Sequence, residues 1–210
     1  MNFVKIPYPQ GEFEIMDAQV TQEEWKQVMG ENPSHFKGEN LPVEQVSWND
    51  CKEFIAKLNA HQKDHVYRLP TEKEWEFACG EDPENLSDHA WFYENSKRKT
   101  HFVKQKKPNE FGLYDMLGNV WEWCEDLYYP DSGSYRVLRG GGWRSDALLC
   151  RSAQRGSLGP EFRYFGVGFR LVRTLALVPL TLDPLSSYKT ERALCAAKKA
   201  LEEIVEILKK

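Results

Sequence analysis

The residues able to do covalent or metal chemistry are few in this 210-residue chain, and their spacing suits little of it. Five cysteines stand at positions 51, 79, 124, 150 and 195, an odd number with no close pair. A disulfide framework or a zinc site would use paired or clustered thiols. The scattered set instead reads as free thiols, mostly small buried apolar groups, which fits a reducing compartment. Five histidines, His35, His61, His65, His89 and His101, fall in loops or polar stretches without ligand spacing, so no redox metal is expected on them. What the chain does concentrate is arginine and aromatic residues around a glycine run. "GGGWRSDALLCRSAQRGSLG", residues 140 to 159, opens with three glycines and a tryptophan and continues with the period of neither helix nor strand. Glycines let backbones pack closely and Trp143 can anchor a turn. Arg151, Arg155, Arg163 and Arg170 have donors enough to satisfy loop carbonyls.

Such a stretch needs a scaffold, and the totals allow one. An apolar fraction of 41% and seven tryptophans supply a substantial core. A net charge of −4, without a basic stripe, argues against nucleic acid as a partner. No segment approaches the roughly 20 apolar residues of a membrane helix. The opening "MNFVKIPYPQ" lacks the apolar run of a signal peptide, so display on a surface would need a leader ahead of it, and the location stays open.

Helices are signalled early. Thr21 and Glu24 form a capping box before Trp25, Val28 and Met29, with Gly30 at the C-cap position. Ser47 can cap a second helix in which Trp48, Cys51, Phe54, Ile55 and Leu58 recur at helical spacing. Thr71 and Glu74 form another capping box. From Gly80 to Glu110 the pattern dissolves into polar loop, after which short strand-like pieces appear in "YRVLRG" and "GFRLV". The expected class is α+β with much loop. "LALVPLTLDPLSSY", with two prolines, predicts a strap or linker over 174–188. An amphipathic C-terminal helix is predicted over 189–210, capped by Thr190, with Leu194, Ala197, Leu201, Ile204 and Leu208 as a heptad seam. That seam over 190–208 suits docking on its own domain, self-association or a partner, and an adaptor acting through it is one functional alternative.

Five motifs stand in an order that identifies a family. "NPSHFKGENLPVEQVSWNDCKEFIAKLN", "YRLPTEKEWEFA", "NEFGLYDMLGNVWEWCEDLY", "RVLRGGGW" and "GFRLV" resemble the formylglycine-generating enzyme (sulfatase-modifying factor) family. The resemblance covers residues 3 to 173 and implies a domain over 1–173 with that family's variant of the C-type lectin fold. Between "GEFEIMD" and "VTQEEW" the chain is shorter than the family usually is.

The resemblance raises two metal questions. Members that make formylglycine hold Cu(I) with two cysteines five positions apart after the glycine turn, because soft Cu(I) prefers thiolates. Here an ungapped alignment puts Ser145 at the first position and Cys150 at the second, and a gapped one removes both. Only one thiol stands between Trp143 and Ala153. The oxidase chemistry is expected to be lost and Cys150 to be a packed thiol, with a copper oxidase or divergent enzyme using Cys150 as the alternative. In "YDMLGNVWEW" the family binds Ca2+, and the corresponding ligands are the Asp115 side chain, the carbonyls of Gly118 and Val120, and Glu122. An all-oxygen set suits Ca2+, so one structural ion at most is expected, the family's second site needing a longer loop near 95–107. Turn capping or pairing with arginine is the alternative use of the two carboxylates.

One branch of the family keeps the fold and uses its loops for recognition. Residues 136 to 172 are similar to the variable region of diversity-generating retroelement proteins, in which a reverse transcriptase rewrites template adenines. A fixed frame of Gly140, Gly141, Trp143, Ala147, Cys150 to Ala153, Arg155, Pro160, Arg163 and Gly168 to Arg170 would then enclose varied positions over about 144–167. The expected ligand-binding set is Arg144, Ser145, Asp146, Leu148, Leu149, Gln154, Gly156, Ser157, Leu158, Glu161, Phe162, Tyr164 and Phe165, facing a protein or other macromolecule. Randomised AAC codons yield every type at the varied positions except Gln and Glu, and the forbidden Lys, Met and Trp are absent there. Phe162, Tyr164 and Phe165 would be the anchors.

Overall fold

In the computed structural model, which describes residues 1–131 and 133–176, three capping boxes start the three longer helices. Helix α1, Gln22–Met29, begins where the Thr21 hydroxyl accepts from Glu24 N and the Glu24 carboxylate accepts from Thr21 N. Helix α2, Trp48–His61, repeats the device with Ser47 and Asp50, whose carboxylate accepts from Ser47 N and completes the box. Helix α3, Glu72–Cys79, uses Thr71 and Glu74, and Arg68 clamps Glu74 from the preceding strand. Each box satisfies two backbone donors that a helix start leaves orphaned. The expected loop from Gly80 to Glu110 contains one short helix, α4, Leu86–His89.

Among the described residues the strands form two four-stranded sheets. The first runs β1–β2–β8–β3, all antiparallel, from Phe3–Ile6, Phe13–Met16, Val172–Leu175 and His65–Arg68. The second runs β6–β5–β4–β7, from Arg155–Leu158, Arg136–Arg139, Trp121–Leu127 and Val167–Gly168. In it only β4 and β7 are parallel. The piece "GFRLV", expected as one strand, is divided between the sheets. Val167 and Gly168 pair with β4, Val172 pairs with β2 and β3, and Phe169, Arg170 and Leu171 cross between them fully buried. Strands β1 to β4 and β6 were not read from sequence. The last corrects the expectation that 140 to 159 is wholly irregular.

Two apolar clusters fill the interior. In one, Trp25 stacks on Phe54 at 5.2 Å and both meet Phe169 edge-on. In the other, Trp75 is fully buried among Ile6, Ile15, Ala78, Leu113 and Val137. The described residues up to Ala176 form one compact unit. Thr174 and Leu175, expected as the start of the strap, belong instead to β8, and the rest of the strap from residue 177, the capped C-terminal helix and its heptad seam lie outside the described residues.

Candidate functional site

The glycine turn is built as its residue types require. Gly140 and Gly141 have φ of +93° and +74°, conformations that side-chained residues rarely adopt. A Cβ on Gly141 would fall 2.5 Å from Cys150 Sγ and 2.9 Å from Leu149 O. Trp143, buried, donates its indole N–H to Phe165 O at 3.0 Å and its carbonyl accepts from Ser96 Oγ. The turn therefore holds the two ends of the 143–165 stretch together. The frame arginines act differently from expectation. Arg155 and Arg163 pair with Glu72 and Asp50 rather than with carbonyls. Arg170 does reach Met16 O and Tyr114 O, but it also grips Glu122.

Thirteen expected ligand-binding positions sort into several environments. Arg144, Tyr164 and Phe165 come together: Arg144 Nη1 donates to Tyr164 Oη at 3.1 Å, and its guanidinium lies 5.5 Å from the Phe165 ring. Tyr164 is 40% exposed and its ring lies 4.4 Å from that of Phe165, which is half-buried against Trp143. Phe162 at 56% and Leu148 at 65% are more open still, and Leu149 and Glu161 are also exposed. Asp146 is exposed, but its Oδ1 accepts from the backbone N–H groups of Leu148 and Leu149 and so shapes the loop. Gln154 is half-buried, its carbonyl accepting from Arg139.

Four positions depart from a free surface. Ser145 is only 5% exposed, and its hydroxyl accepts from Trp121 Nε1 and Gly142 N. Gly156 and Ser157 lie in β6, half-buried, and a Cβ on Gly156 would meet the Trp121 ring at 3.1 Å. Leu158, in the same strand, packs against the core. The pairing of β6 with β5 turns Gly156 toward Trp121 and Leu158 toward the core, whereas Ser145 is held in the turn after β5 by its own hydrogen bonds.

Two contributors to this surface come from far away in sequence. His35 lies 6.0 Å from the Phe165 ring, and Phe36 meets Trp143 edge-on at 5.5 Å. Their only local signal is an aromatic pair in the otherwise polar "NPSHFKG". Glu44 holds that segment: its backbone N–H donates to Ser34 Oγ and its Oε1 accepts from Phe36 N at 2.8 Å. Next to it Gln45, at φ +61°, donates its N–H to Tyr164 O. Glu44 is fully buried and its Oε2 has no partner, so burial pushes its carboxyl from 4.5 up to about 7.

The metal-capable groups are equally explicit. Cys51, Cys79, Cys124 and Cys150 are free and buried. Burial pushes the Cys150 thiol up to about 12, so it holds its proton at neutral pH. With Ser145 committed to two donors, the pair of positions offers one thiol where soft Cu(I) would take two. Among the described residues no group of three His, Cys, Asp or Glu side chains converges on a metal position. Around 115–122, the carbonyls of Asp115, Gly118 and Val120 and Oε1 of Glu122 do converge, and on a single atom, Nε2 of Gln19. Asp115 takes part through its carbonyl, while its carboxylate Oδ2 accepts from Lys104 N. Burial raises the Asp115 carboxyl to about 6.

Over most of its length the chain is similar to proteins of one family. Residues 7–175 match the family model for the sulfatase-modifying factor enzyme 1-like domain. A chaperone protein LppX of Paenibacillus barcinonensis is 31% identical, over 78% of this chain and 80% of its own. An inactive C-alpha-formylglycine-generating enzyme 2 of Mus musculus is 32% identical over 57% of this chain, which spans 43% of that relative's length. Among solved structures, Treponema denticola variable protein 1 superposes with a TM-score of 0.72 at 31% identity, covering 82% of this chain and 91% of that one.

Proposed function

The chain belongs to the sulfatase-modifying factor enzyme 1-like family, with its α+β, C-type lectin-like fold, and from that premise we propose that it is a non-enzymatic binding protein. Its ligand is a macromolecule, a protein by the chemistry of the patch. The observation that carries this reading is the contrast within one stretch. The position that would hold copper offers one buried, protonated thiol and a committed serine. The same stretch turns Arg144, Leu148, Phe162 and Tyr164 to solvent on a hydrogen-bonded frame.

Large amphipathic side chains on a braced loop suit protein recognition. Tyrosine and arginine give contact area at modest ordering cost, and the frame removes much of the remaining loop entropy. The inactive mouse relative and the Treponema variable protein support a branch that keeps the fold and dispenses with the oxidase chemistry. The residues presented at 144–167 would be the diversified ones.

The decisive experiment is genomic. Sequencing the DNA around this gene is expected to reveal a reverse transcriptase and a near-copy of the 144–167 coding segment carrying AAC codons at the exposed positions. Finding neither removes the diversification reading. Finding a template whose adenines fall at Gly140, Gly141 and Trp143 contradicts it, because those residues hold the turn.

A further inference from the structure

The Gln19 side chain links the segment after β2 to the 115–122 loop, across about a hundred residues of sequence. It is 1% exposed. Its Nε2 lies 2.9 Å from Val120 O, 3.0 Å from Glu122 Oε1, 3.2 Å from Asp115 O and 3.4 Å from Gly118 O. Four oxygens around one point is the layout of a hard-cation cage, and here the point is a side-chain nitrogen. The loop is bent to make it: Asp115, Gly118 and Asn119 have φ of +53°, +79° and +60°. At Gly118 a Cβ would fall 2.4 Å from Trp91 O, so only glycine fits.

A divalent ion does not fit this cage. Ca2+ needs oxygens at about 2.3–2.6 Å and several anionic ligands. The cage oxygens stand 2.9–3.4 Å from its centre, as hydrogen-bond acceptors do. Glu122, the one carboxylate in it, is already neutralised. Arg170 donates to both of its oxygens, at 2.7 and 2.8 Å, and Trp75 Nε1 donates to Oε2 at 2.8 Å. An ion would have to expel a buried amide and sit beside a buried guanidinium, while the Asp115 carboxylate accepts from Lys104 N instead.

We infer that the Gln19 amide permanently takes the place of the structural cation, making the fold of this chain independent of calcium. The two amide hydrogens serve Val120 O and Glu122 Oε1 most directly and are shared with the two longer acceptors. Three buried carbonyls that would otherwise lack a donor are thereby satisfied. The arrangement also welds the segment entering α1 to the strand that carries Glu122.

The test compares melting of the full chain, wild type and two variants, in millimolar Ca2+ and in EDTA, with Ca2+ binding followed by equilibrium dialysis. Wild type is expected to melt at one temperature in both buffers and to retain no Ca2+. Gln19→Glu places a carboxylate against three carbonyls and Glu122, so it should bind Ca2+ and melt several degrees higher with it than without. Gln19→Ala should lose several degrees in EDTA and regain part of them in Ca2+. Stoichiometric Ca2+ on wild type, or a higher wild-type melting temperature in Ca2+, would overturn the inference. So would variants that fold but gain no Ca2+ response. Should Gln19→Ala fail to fold, wild type and Gln19→Glu still decide it.

Discussion

Replacing Glu44 by glutamine should change the pH dependence of stability in a direction that its surroundings dictate. The carboxyl is fully buried with Oε2 unpartnered, and it titrates at about 7 in the fold against 4.5 for an ordinary glutamate. The folded chain therefore binds this proton more tightly than the unfolded one. Below about pH 4.5 both states carry it and no penalty exists. As pH rises through about 7 the fold must bear a buried, half-partnered carboxylate, and stability falls; above that the loss is constant. Converted at about 1.4 kcal/mol per pH unit the gap, which already includes the backbone N–H donors that favour the charged form, is worth roughly 3 kcal/mol. For a chain of this size that is a shift of about 6–12 °C in melting temperature. Thermal or urea melts of wild type and Glu44→Gln at intervals from pH 5 to 8 isolate the term, because every other titration cancels in the difference. Glutamine keeps an acceptor for Phe36 N and cannot ionise, so the variant should gain on wild type steadily between pH 5 and about 7.5. Curves that run parallel over that range would refute the reasoning, and show Glu44 to be ordinarily ionised.

Three other outcomes follow from the same coordinates. Tyr164→Ala should leave the melting temperature within about 2 °C, whereas half-buried Phe165→Ala should cost about 1–2 kcal/mol; equal losses would place the Tyr164 ring in the core. Arg170→Met should cost about 3–5 kcal/mol in urea unfolding because it strands a buried Glu122 charge, and adding Glu122→Gln should recover part of that; a single-variant loss below about 1 kcal/mol would mean that the pair is solvated. Native protein treated with iodoacetamide at pH 8 should leave the Cys150 peptide unlabelled by mass spectrometry until denaturant is added. Rapid labelling without denaturant would contradict a buried thiol that titrates at about 12.

What sequence revealed of the fold divides by the range of the interactions. The helix starts were legible because a capping box is complete within four residues, and Thr21, Ser47 and Thr71 each sit where expected. The first sheet was not, since its central strand β8 lies between partners more than a hundred residues upstream, and its strands are only four residues long. A run of four gives alternation too little length to stand out. "GFRLV" looked like one strand because both halves are apolar. The change of sheet at Phe169 to Leu171 is set by which neighbours bury them, and no local pattern records that.

The candidate surface shows the same divide at single-residue scale. Its frame was legible where a residue type has few uses, as at Gly141 and Trp143. Membership of the varied set was harder, because a serine, a glycine and a leucine carry no mark of which way they face. Ser145 turns inward to the Trp121 indole through its own hydrogen bonds, while Gly156 lies under that ring and Leu158 joins the core through the pairing of β5 and β6. A side chain committed to the frame cannot be exchanged without moving the frame. The tolerant positions are then those with neither a frame hydrogen bond nor a core contact: Leu148, Leu149, Glu161, Phe162 and the outer part of Tyr164. Arg144 belongs with Tyr164, to which it is bonded, so those two would have to vary together or lose that contact. On the proposed reading, the recognition surface would be smaller than the stretch that encodes it, and its rigidity would come from the positions committed to the frame.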